Sequence, residues 1–319
     1  MPSGSRAVRE KRGTEGEDVT VKRRFRILSL LMLVLLLAGC GKEGAVDATR
    51  PVKKDPSNKN YGTPAFVNAV TAPSEGDDPL SLTGVENVLR IGYVLQHAEN
   101  YAVDGVGTVK TKVAFISYTQ QIESYKDCAR GAMVQIDLTK SSIVSNAWET
   151  CYVGDVAMIR GAAGGKKTWD GRNTEWVGSD PEIFSREEFR EEYGLFGFEL
   201  SNYILNGDTV DDWTPAVDNG DGTYTVTLFP NLTAATGDCV RRMKKMGGLE
   251  KDPVFKEAAI TLTFDGSWRL LSMHVEEVYS VKLGIINSDN CRASTDYTYS
   301  YGQADISDFD DYFAWFLEE

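Results

Sequence analysis

Apolar residues recur at helical spacing soon after the chain becomes patterned. Over residues 82–99 one helical face collects Val85, Val88, Leu89, Gly92 and Leu95. Ser81 or Thr83 precedes this run, and either hydroxyl could accept hydrogen bonds from the first free backbone amides of a helix. The pattern predicts an amphipathic helix that buries one face.

Most of the remaining chain alternates apolar and polar residues, the pattern of strands with one buried face. The alternating segments contain Val109, Val113 and Phe115; Val134, Ile136 and Leu138; residues 148–153 and 156–160; Tyr224, Val226 and Leu228; Ile260, Leu262 and Phe264; Leu271, Met273 and Val275; and Tyr297, Tyr299 and Tyr301. About eight such strands predict an antiparallel sheet with an apolar face that helices must cover. Tight turns are expected at Gly154-Asp155 and at residues 218–222.

Further helices are expected between these strands. Ser185 and Glu188 fit a capping box, and Phe189 and Tyr193 share one face before Gly194. Residues 200–205 suggest a short helix, and residues 231–246 a longer one that ends at Gly247-Gly248. Together the elements predict an α+β domain over residues 81–319, with no internal repeat and no second domain.

The end of the chain has an amphipathic pattern of its own. Apolar residues stand at helical spacing at Ile306, Phe309, Phe313 and Phe316, and acidic residues stand opposite at Asp305, Asp308, Asp310 and Asp311. We interpret the acidic side as a solvated helix face rather than a calcium site, and the apolar side as a candidate lid for the sheet.

The start of the chain has the order of a secretory signal. A basic cluster at 22–26 precedes an uncharged apolar run at 27–37, which is shorter than the roughly 20 residues of a spanning helix. Ala38 and Gly39 then lead to Cys40. We expect residues 1–39 to be removed. The polar residues 1–20 would be absent from the precursor if translation begins near Val21.

Residues 37–40, Leu-Ala-Gly-Cys, resemble the lipobox of bacterial lipoproteins. The resemblance implies that the Cys40 thiol receives a diacylglycerol and becomes the N-terminus of a protein anchored to the outer side of the cell membrane. Two or three acyl chains suffice for stable anchoring, at about 0.8 kcal/mol for each buried CH₂ group. The polar residues 41–80 would then form a flexible tether, so that residues 40–80 are the lipidated cysteine and its linker.

The charge of the chain restricts its partners. Residues 1–39 hold 8 of the 34 Lys+Arg and 4 of the 47 Asp+Glu, so the remaining chain carries a formal net charge of −17. An acidic surface of this kind argues against nucleic acid and against a basic grip on anionic lipid heads. Attachment to the membrane would depend on the acyl chains.

The four cysteines beyond Cys40 leave two interpretations open. Cys128, Cys151, Cys239 and Cys291 could form two disulfides in an exported protein, in any of three connectivities. Cys128–Cys151 with Cys239–Cys291 closes the shorter loops. Buried free thiols are equally expected if the host is anaerobic.

Motifs for catalysis, metals or cofactors do not stand out. His97 and His274 lie among polar neighbours, and neither a Gly-x-Ser-x-Gly nor a His-Glu-x-x-His motif occurs. In residues 160–168, Lys166 stands at the position where a phosphate-binding loop has its second glycine. Residues 218–222 do not have the spacing of a calcium loop. No metal, cofactor or enzymatic activity is therefore expected.

The order of elements resembles the LolA/LppX superfamily of exported lipid and lipoprotein carriers. The similar stretches are residues 85–89 with 107–109, residues 148–159, and residues 260–270. The resemblance implies a strongly curved antiparallel sheet, a half-barrel, with helices covering its concave apolar face. It also implies non-catalytic binding of an apolar or amphiphilic ligand such as lipid. If the helices fill the concave face, an ordinary core results instead.

Two functions follow as hypotheses. The first is a membrane-anchored extracytoplasmic lipoprotein that binds or carries an amphiphile. The alternative is a cell-surface interaction module that binds glycan or a partner protein, with aromatic side chains from loop-like sequence available for stacking: Trp169, Trp176 and Trp213.

Overall fold

A computed structural model gives the fold of this chain. It describes residues 70–113, 116–129, 131–141, 145–154, 156–163, 181–194, 197–247, 249–283 and 286–304. The signal sequence, Cys40 and the proposed tether up to residue 69 lie outside these ranges.

The first helix, α1, spans Gly84–Gln96 and confirms the amphipathic helix expected there. Thr83, not Ser81, caps it: the Thr83 hydroxyl accepts a hydrogen bond from the Glu86 amide at 3.1 Å. The Glu86 carboxylate accepts one from the Thr83 amide at 2.8 Å. This reciprocal pair satisfies two of the amides that a helix start leaves free.

A single antiparallel sheet of twelve strands forms the body of the described chain, more than the eight expected. The strands are β1 (Asn100–Val113), β2 (Ile116–Ala129), β3 (Ala132–Lys140), β4 (Ser145–Val153), β5 (Val156–Ala163), β6 (Glu182–Ser185), β7 (Val210–Trp213), β8 (Val217–Asp218), β9 (Thr223–Pro230), β10 (Val254–Asp265), β11 (Leu270–Leu283) and β12 (Ile286–Tyr301). Their order is β6-β5-β4-β3-β2-β1-β12-β11-β10-β9-β7, and β8 also pairs with β9. Among the described residues the sheet has two free edges and does not close into a barrel.

The strands that the pattern missed are β2, β6, β7 and β8. Strand β2 pairs with β1 from Asn100↔Ala129 to Val113↔Ile116. Its sequence is mostly polar, so it shows no clear alternation of apolar residues. The other three have two to four residues each, too few to show a period.

Helix α2 (Arg186–Tyr193) has the expected capping box of Ser185 and Glu188 and ends at Gly194, which has φ 65°. Helix α3 (Gly237–Gly247) is shorter than expected. Residues 232–235 form turns, with the Asn231 side chain accepting hydrogen bonds from the amides of Thr233 and Ala234 at 3.0 and 2.8 Å. The short helix expected at 200–205 is wrong, because residues 197–203 form an irregular segment of bends.

The two faces of the sheet differ in their cover. Paired residues on adjacent strands share a face, so Tyr101, Cys128, Met133 and Tyr152 lie side by side on what we call the inner face. Helices α1, α2 and α3 and the irregular segment pack on this face and build the main apolar core with it.

The orientation expected for β3 is wrong. Gln135 and Asp137 lie on the inner face with Met133, while Ile136 and Leu138 point to the outer face. There Ile136, Leu138 and Ala147 form a second, small apolar cluster. Alternation predicts that the polar and the apolar residues of β3 lie on opposite faces, but it does not predict which of them face inward. The register of β3 with the neighbouring strands decides which residues face inward.

Candidate functional site

A group of polar and charged side chains lies between the inner face and its cover, where apolar packing would be the rule. We call it the polar layer. Its members are Ser124 and Lys126 on β2, Gln135 and Asp137 on β3, Glu199 and Asn202 in the irregular segment, and Arg242 on α3. The layer joins three parts of the chain that are distant in sequence.

Asp137 lies at the centre of the layer. Its Oδ1 accepts hydrogen bonds from Ser124 Oγ at 2.7 Å and from Gln135 Nε2 at 3.0 Å. Its Oδ2 accepts a charge-assisted hydrogen bond from Arg242 Nη2 at 2.5 Å. Both oxygens of the Asp137 carboxylate therefore accept hydrogen bonds from side chains of the layer.

Arg242 connects the layer to its cover. Besides the bond to Asp137, its Nη1 donates to Asn202 Oδ1 at 2.7 Å. One guanidinium therefore links β3, α3 and the irregular segment. The side chains of Arg242 and Asp137 keep 15% and 16% of their exposure, so the layer reaches solvent at its rim.

Lys126 stands beside Gln135 on the inner face and is partly buried. It makes no hydrogen bond or ion pair with any residue in the part of the chain that the structure describes. Burial lowers the pKa of its ammonium, against the attraction of Asp137 and Glu199.

Burial raises the pKa of two carboxyl groups, one in the cover and one in the sheet. Burial raises the pKa of Glu199 to about 7, although Lys126 and Arg190 act in the opposite direction. Burial also raises the pKa of Glu277 on β11, although the Tyr203 hydroxyl donates to it at 2.7 Å. Burial thus disfavours the charged form of both carboxyl groups.

Two aromatic rings belong to the row of residues that contains Asp137. The row runs across the sheet through Tyr297, Gly105, Ser124, Asp137, Trp148 and Gly161. A Cβ on Gly105 would lie 2.7 Å from the Tyr297 ring, and one on Gly161 would lie 2.6 Å from the Trp148 ring. The two glycines therefore let these rings lie over the backbone on either side of the polar centre.

A small cleft lies beside α1, where the resemblance implied a ligand cavity. It is lined by Val70, Val88, Gly92, Gln96, Leu200, Tyr203 and Leu205. Its interior admits about one water molecule. An acyl chain does not fit there, so in this conformation the chain's own side chains occupy this part of the inner face.

Of the residues singled out from the sequence, most lie outside the described ranges: Cys40, Trp169, Trp176, Ile306, Phe309, Phe313 and Phe316. Trp213 is described. It lies on edge strand β7, not in a loop, and keeps 37% of its exposure. Its Cβ would be 2.6 Å from a Cβ on Gly84, so it packs closely over the start of α1.

Cys128, Cys151, Cys239 and Cys291 are buried free thiols, so neither disulfide of the shorter-loop pairing is formed. Register shows why the first is not. Cys128 is opposite Met133 and Cys151 is opposite Val134, its neighbour in sequence. Adjacent residues of a strand point to opposite faces, so the sheet separates the two thiols.

Neither histidine belongs to the polar layer. His97 stacks on Tyr93 after the end of α1. His274 lies on the outer face, with Nδ1 2.6 Å from Asp296 Oδ1 and Nε2 3.6 Å from Glu276 Oε1. Within the described ranges no three His, Cys, Asp or Glu side chains are grouped to hold a metal ion.

The polar layer was not predicted from the sequence. The available signal was that Gln135 and Asp137 alternate with Val134, Ile136 and Leu138 along one strand, so that the side with Gln135 and Asp137 is polar.

Among the residues that the structure describes, no helix has the length and hydropathy to cross a membrane.

Comparison with known proteins gives distant structural likenesses. The sequence matches no known protein family and no curated protein. A solved DUF1329 family protein from Desulfovibrio piger is 12% identical over 73% of this chain and 98% of its own, with a TM-score of 0.25. A LolA superfamily protein from Nitrosomonas europaea is 10% identical over 72% of this chain and 98% of its own, with a TM-score of 0.27. Likenesses this low identify neither the family nor the activity.

Proposed function

We propose that this protein is a lipid-anchored extracytoplasmic lipoprotein that binds an amphiphile, without catalysis, between the inner face of its sheet and a movable cover. The cover consists of α3 and the irregular segment 197–203. The observation that carries the proposal is that this cover rests on a polar layer linked through Arg242, Asp137 and Asn202.

The two parts of the cover are held differently. Phe198, Leu200 and Tyr203 of the irregular segment are buried in the apolar core, whereas α3 rests largely on polar contacts and can separate from the sheet at a smaller cost. In α3 only Cys239 is fully buried, while Val240, Met243 and Met246 pack partly against the core. When such a helix lifts, its polar partners exchange protein hydrogen bonds for water, whereas a buried apolar face would lose its transfer free energy. Local opening of this kind is expected of binding elements.

The surface that would be uncovered suits an amphiphile. The polar layer offers charged and hydrogen-bonding groups, and the Tyr297 and Trp148 rings lie on either side of it. Because the cleft beside α1 holds about one water molecule, binding requires that the cover move rather than that a ligand enter a preformed cavity.

The ligand can be sought directly. The chain with Cys40→Ser, which lacks the acylated residue, would be purified under mild conditions and examined by native mass spectrometry and solvent extraction. Co-purified or added amphiphile should appear at one equivalent per chain and should lower hydrogen exchange in α3. If neither natural nor added amphiphiles bind, the proposal is wrong.

Anchoring is tested on the full chain. Cys40→Ser should move the protein from the membrane fraction to the soluble fraction, because the chain after residue 39 carries a net charge of −17, which does not favour binding to anionic lipid heads in place of the acyl chains. Lys42→Gln is the control and should remain attached. Continued membrane attachment of Cys40→Ser without acylation would contradict the anchor.

A surface interaction module is the second candidate. Trp213, Val217 and Phe229 keep 37%, 58% and 39% of their exposure at the β7–β9 edge of the sheet. Val217 and Phe229 lie on the outer face, and Trp213 lies on the inner face opposite Leu228. Exposed apolar side chains at a sheet edge favour a partner surface. Val217→Ser with Phe229→Ser should abolish binding to glycans or cell-surface protein while leaving amphiphile binding intact. If that double variant keeps its partner, this edge is not the interaction surface.

A further inference from the structure

We infer that Lys126 is the position at which the polar layer binds an anionic head group, a carboxylate or phosphate carried on an apolar chain. This inference rests on the proposed function and specifies the class of ligand. The observation behind it is a cation on the inner face that the described chain does not pair.

The position of Lys126 makes an absent partner unusual. It lies between Val103 on β1 and Gln135 on β3, on the face that the core covers. Its side chain is partly buried and makes no hydrogen bond or ion pair within the described ranges. A cation that is partly withdrawn from water is stabilised by a paired anion, and charges inside proteins are normally paired.

The carboxyl groups nearby do not fill that role. Asp137 already accepts hydrogen bonds from Ser124, Gln135 and Arg242. Glu199 makes no ion pair with Lys126, and burial raises its pKa to about 7, so near neutral pH its carboxyl is only partly charged. The positive charges of Lys126 and Arg242 therefore exceed the negative charge of the layer, and one further anion can bind beside Lys126.

The surroundings of Lys126 match a head group joined to an apolar chain. Its neighbours across the sheet in the same row include Val103 and Tyr299, both less than a tenth exposed. The next row carries the Tyr297 and Trp148 rings, which lie over Gly105 and Gly161. An anion at Lys126 would thus have apolar side chains beside it, and the rim of the layer at Asp137 and Arg242 is open to solvent.

The test compares charged and neutral amphiphiles of one chain length on the Cys40→Ser protein. Oleate, oleoyl lysophosphatidate and monooleoylglycerol would be titrated, with binding followed by calorimetry. Because a charge-assisted hydrogen bond contributes about 1.5–3 kcal/mol, the anionic ligands should bind on the order of tenfold more tightly or better. A preference between oleate and the lysophosphatidate shows whether the head is a carboxylate or a phosphate.

Variants at Lys126 separate the site from general charge effects. Lys126→Met should remove the preference for anions while monooleoylglycerol still binds, and Lys126→Arg should keep the preference. Lys110→Met, at an exposed position on the outer face of β1, is the matched control and should keep it too. If Lys126→Met is unstable, the Lys126→Arg result and the wild-type comparison remain decisive.

The outcomes distinguish the two proposals. Equal binding of charged and neutral amphiphiles by the wild-type protein, or an unchanged preference in Lys126→Met, overturns the role of Lys126 and leaves the carrier function standing. The absence of binding by all three amphiphiles overturns both.

Discussion

Arg242 on α3 donates a hydrogen bond to Asp137 on β3 over 2.5 Å, which joins this helix to a strand 105 residues earlier in the sequence. Both side chains are about five-sixths buried. The pair adds a charged contact to the apolar contacts that α3 makes with the core, so its strength should affect how readily α3 separates from the inner face.

Arg242→Ala should loosen the cover. It leaves Asp137 partly buried with a negative charge that only Ser124 and Gln135 then stabilise, and we expect a loss of about 1–3 kcal/mol in the free energy of unfolding. Amide exchange in α3 should increase more than in α1. Arg241→Ala is the control on the same helix; the Arg241 side chain is 46% exposed, so its loss should cost under about 1 kcal/mol. Equal effects of the two variants would contradict a special role for Arg242.

Glu199 should make the stability depend on pH. Burial raises its pKa from an ordinary value of 4.5 to about 7, with Lys126 of β2, Arg190 of α2 and Asp238 of α3 as the charged groups that act on it. The neutral form is favoured in the folded state, so its contribution is fully present below pH 4.5 and is lost as the pH rises towards 7.

Glu199→Gln removes this titration. The variant should gain roughly 2 kcal/mol over the wild-type protein at pH 8, with little difference at pH 4. Urea unfolding between these pH values measures the difference. Glu191→Gln, at an exposed position on α2, should leave the pH profile unchanged. A parallel profile for Glu199→Gln and wild type would exclude Glu199 as the titrating group.

Gly194→Ala should weaken the contact between α2 and α3. Gly194 has φ 65°, and a Cβ there would approach the backbone oxygen of Asp238 to 2.1 Å. The left-handed conformation alone costs a residue with a Cβ about 1–2 kcal/mol, and the clash adds to that. Thermal unfolding should therefore show a lower Tm. Gly207→Ala is the control, because a Cβ there meets nothing within 4 Å. An unchanged Tm in Gly194→Ala would mean that this contact is not tight.

The four thiols should be present and unreactive in the native protein. Burial raises the pKa of Cys128 to about 11 and raises those of Cys151 and Cys239 as well, which suppresses the reactive thiolate. A thiol reagent should label none of these at pH 8 before unfolding and all of them in denaturant. Mass spectrometry of the unfolded protein without reductant checks for disulfides. A loss of 2 Da per bridge would contradict free thiols.

Local signals located much of the fold. The Thr83–Glu86 and Ser185–Glu188 boxes fix the starts of α1 and α2, because a cap needs only residues three positions apart. The start of α3 was misplaced, since the side chain of Asn231 stabilises turns in a stretch that reads as helical. The polar strand β2 was missed because its pairing with β1, and not its own pattern, makes it a strand.

By itself, the sequence determined the α+β class, the antiparallel alternation, the two capped helices and the lipobox-like segment that ends at Cys40. The tertiary structure alone decided that Gln135 and Asp137 face inward and that Arg242 meets Asp137 there. The physical reason is that alternation has a period but no direction. Which side of β3 faces the core depends on its register with β2 and β4. It also depends on Arg242 of α3, whose guanidinium pairs with Asp137 on the inner face.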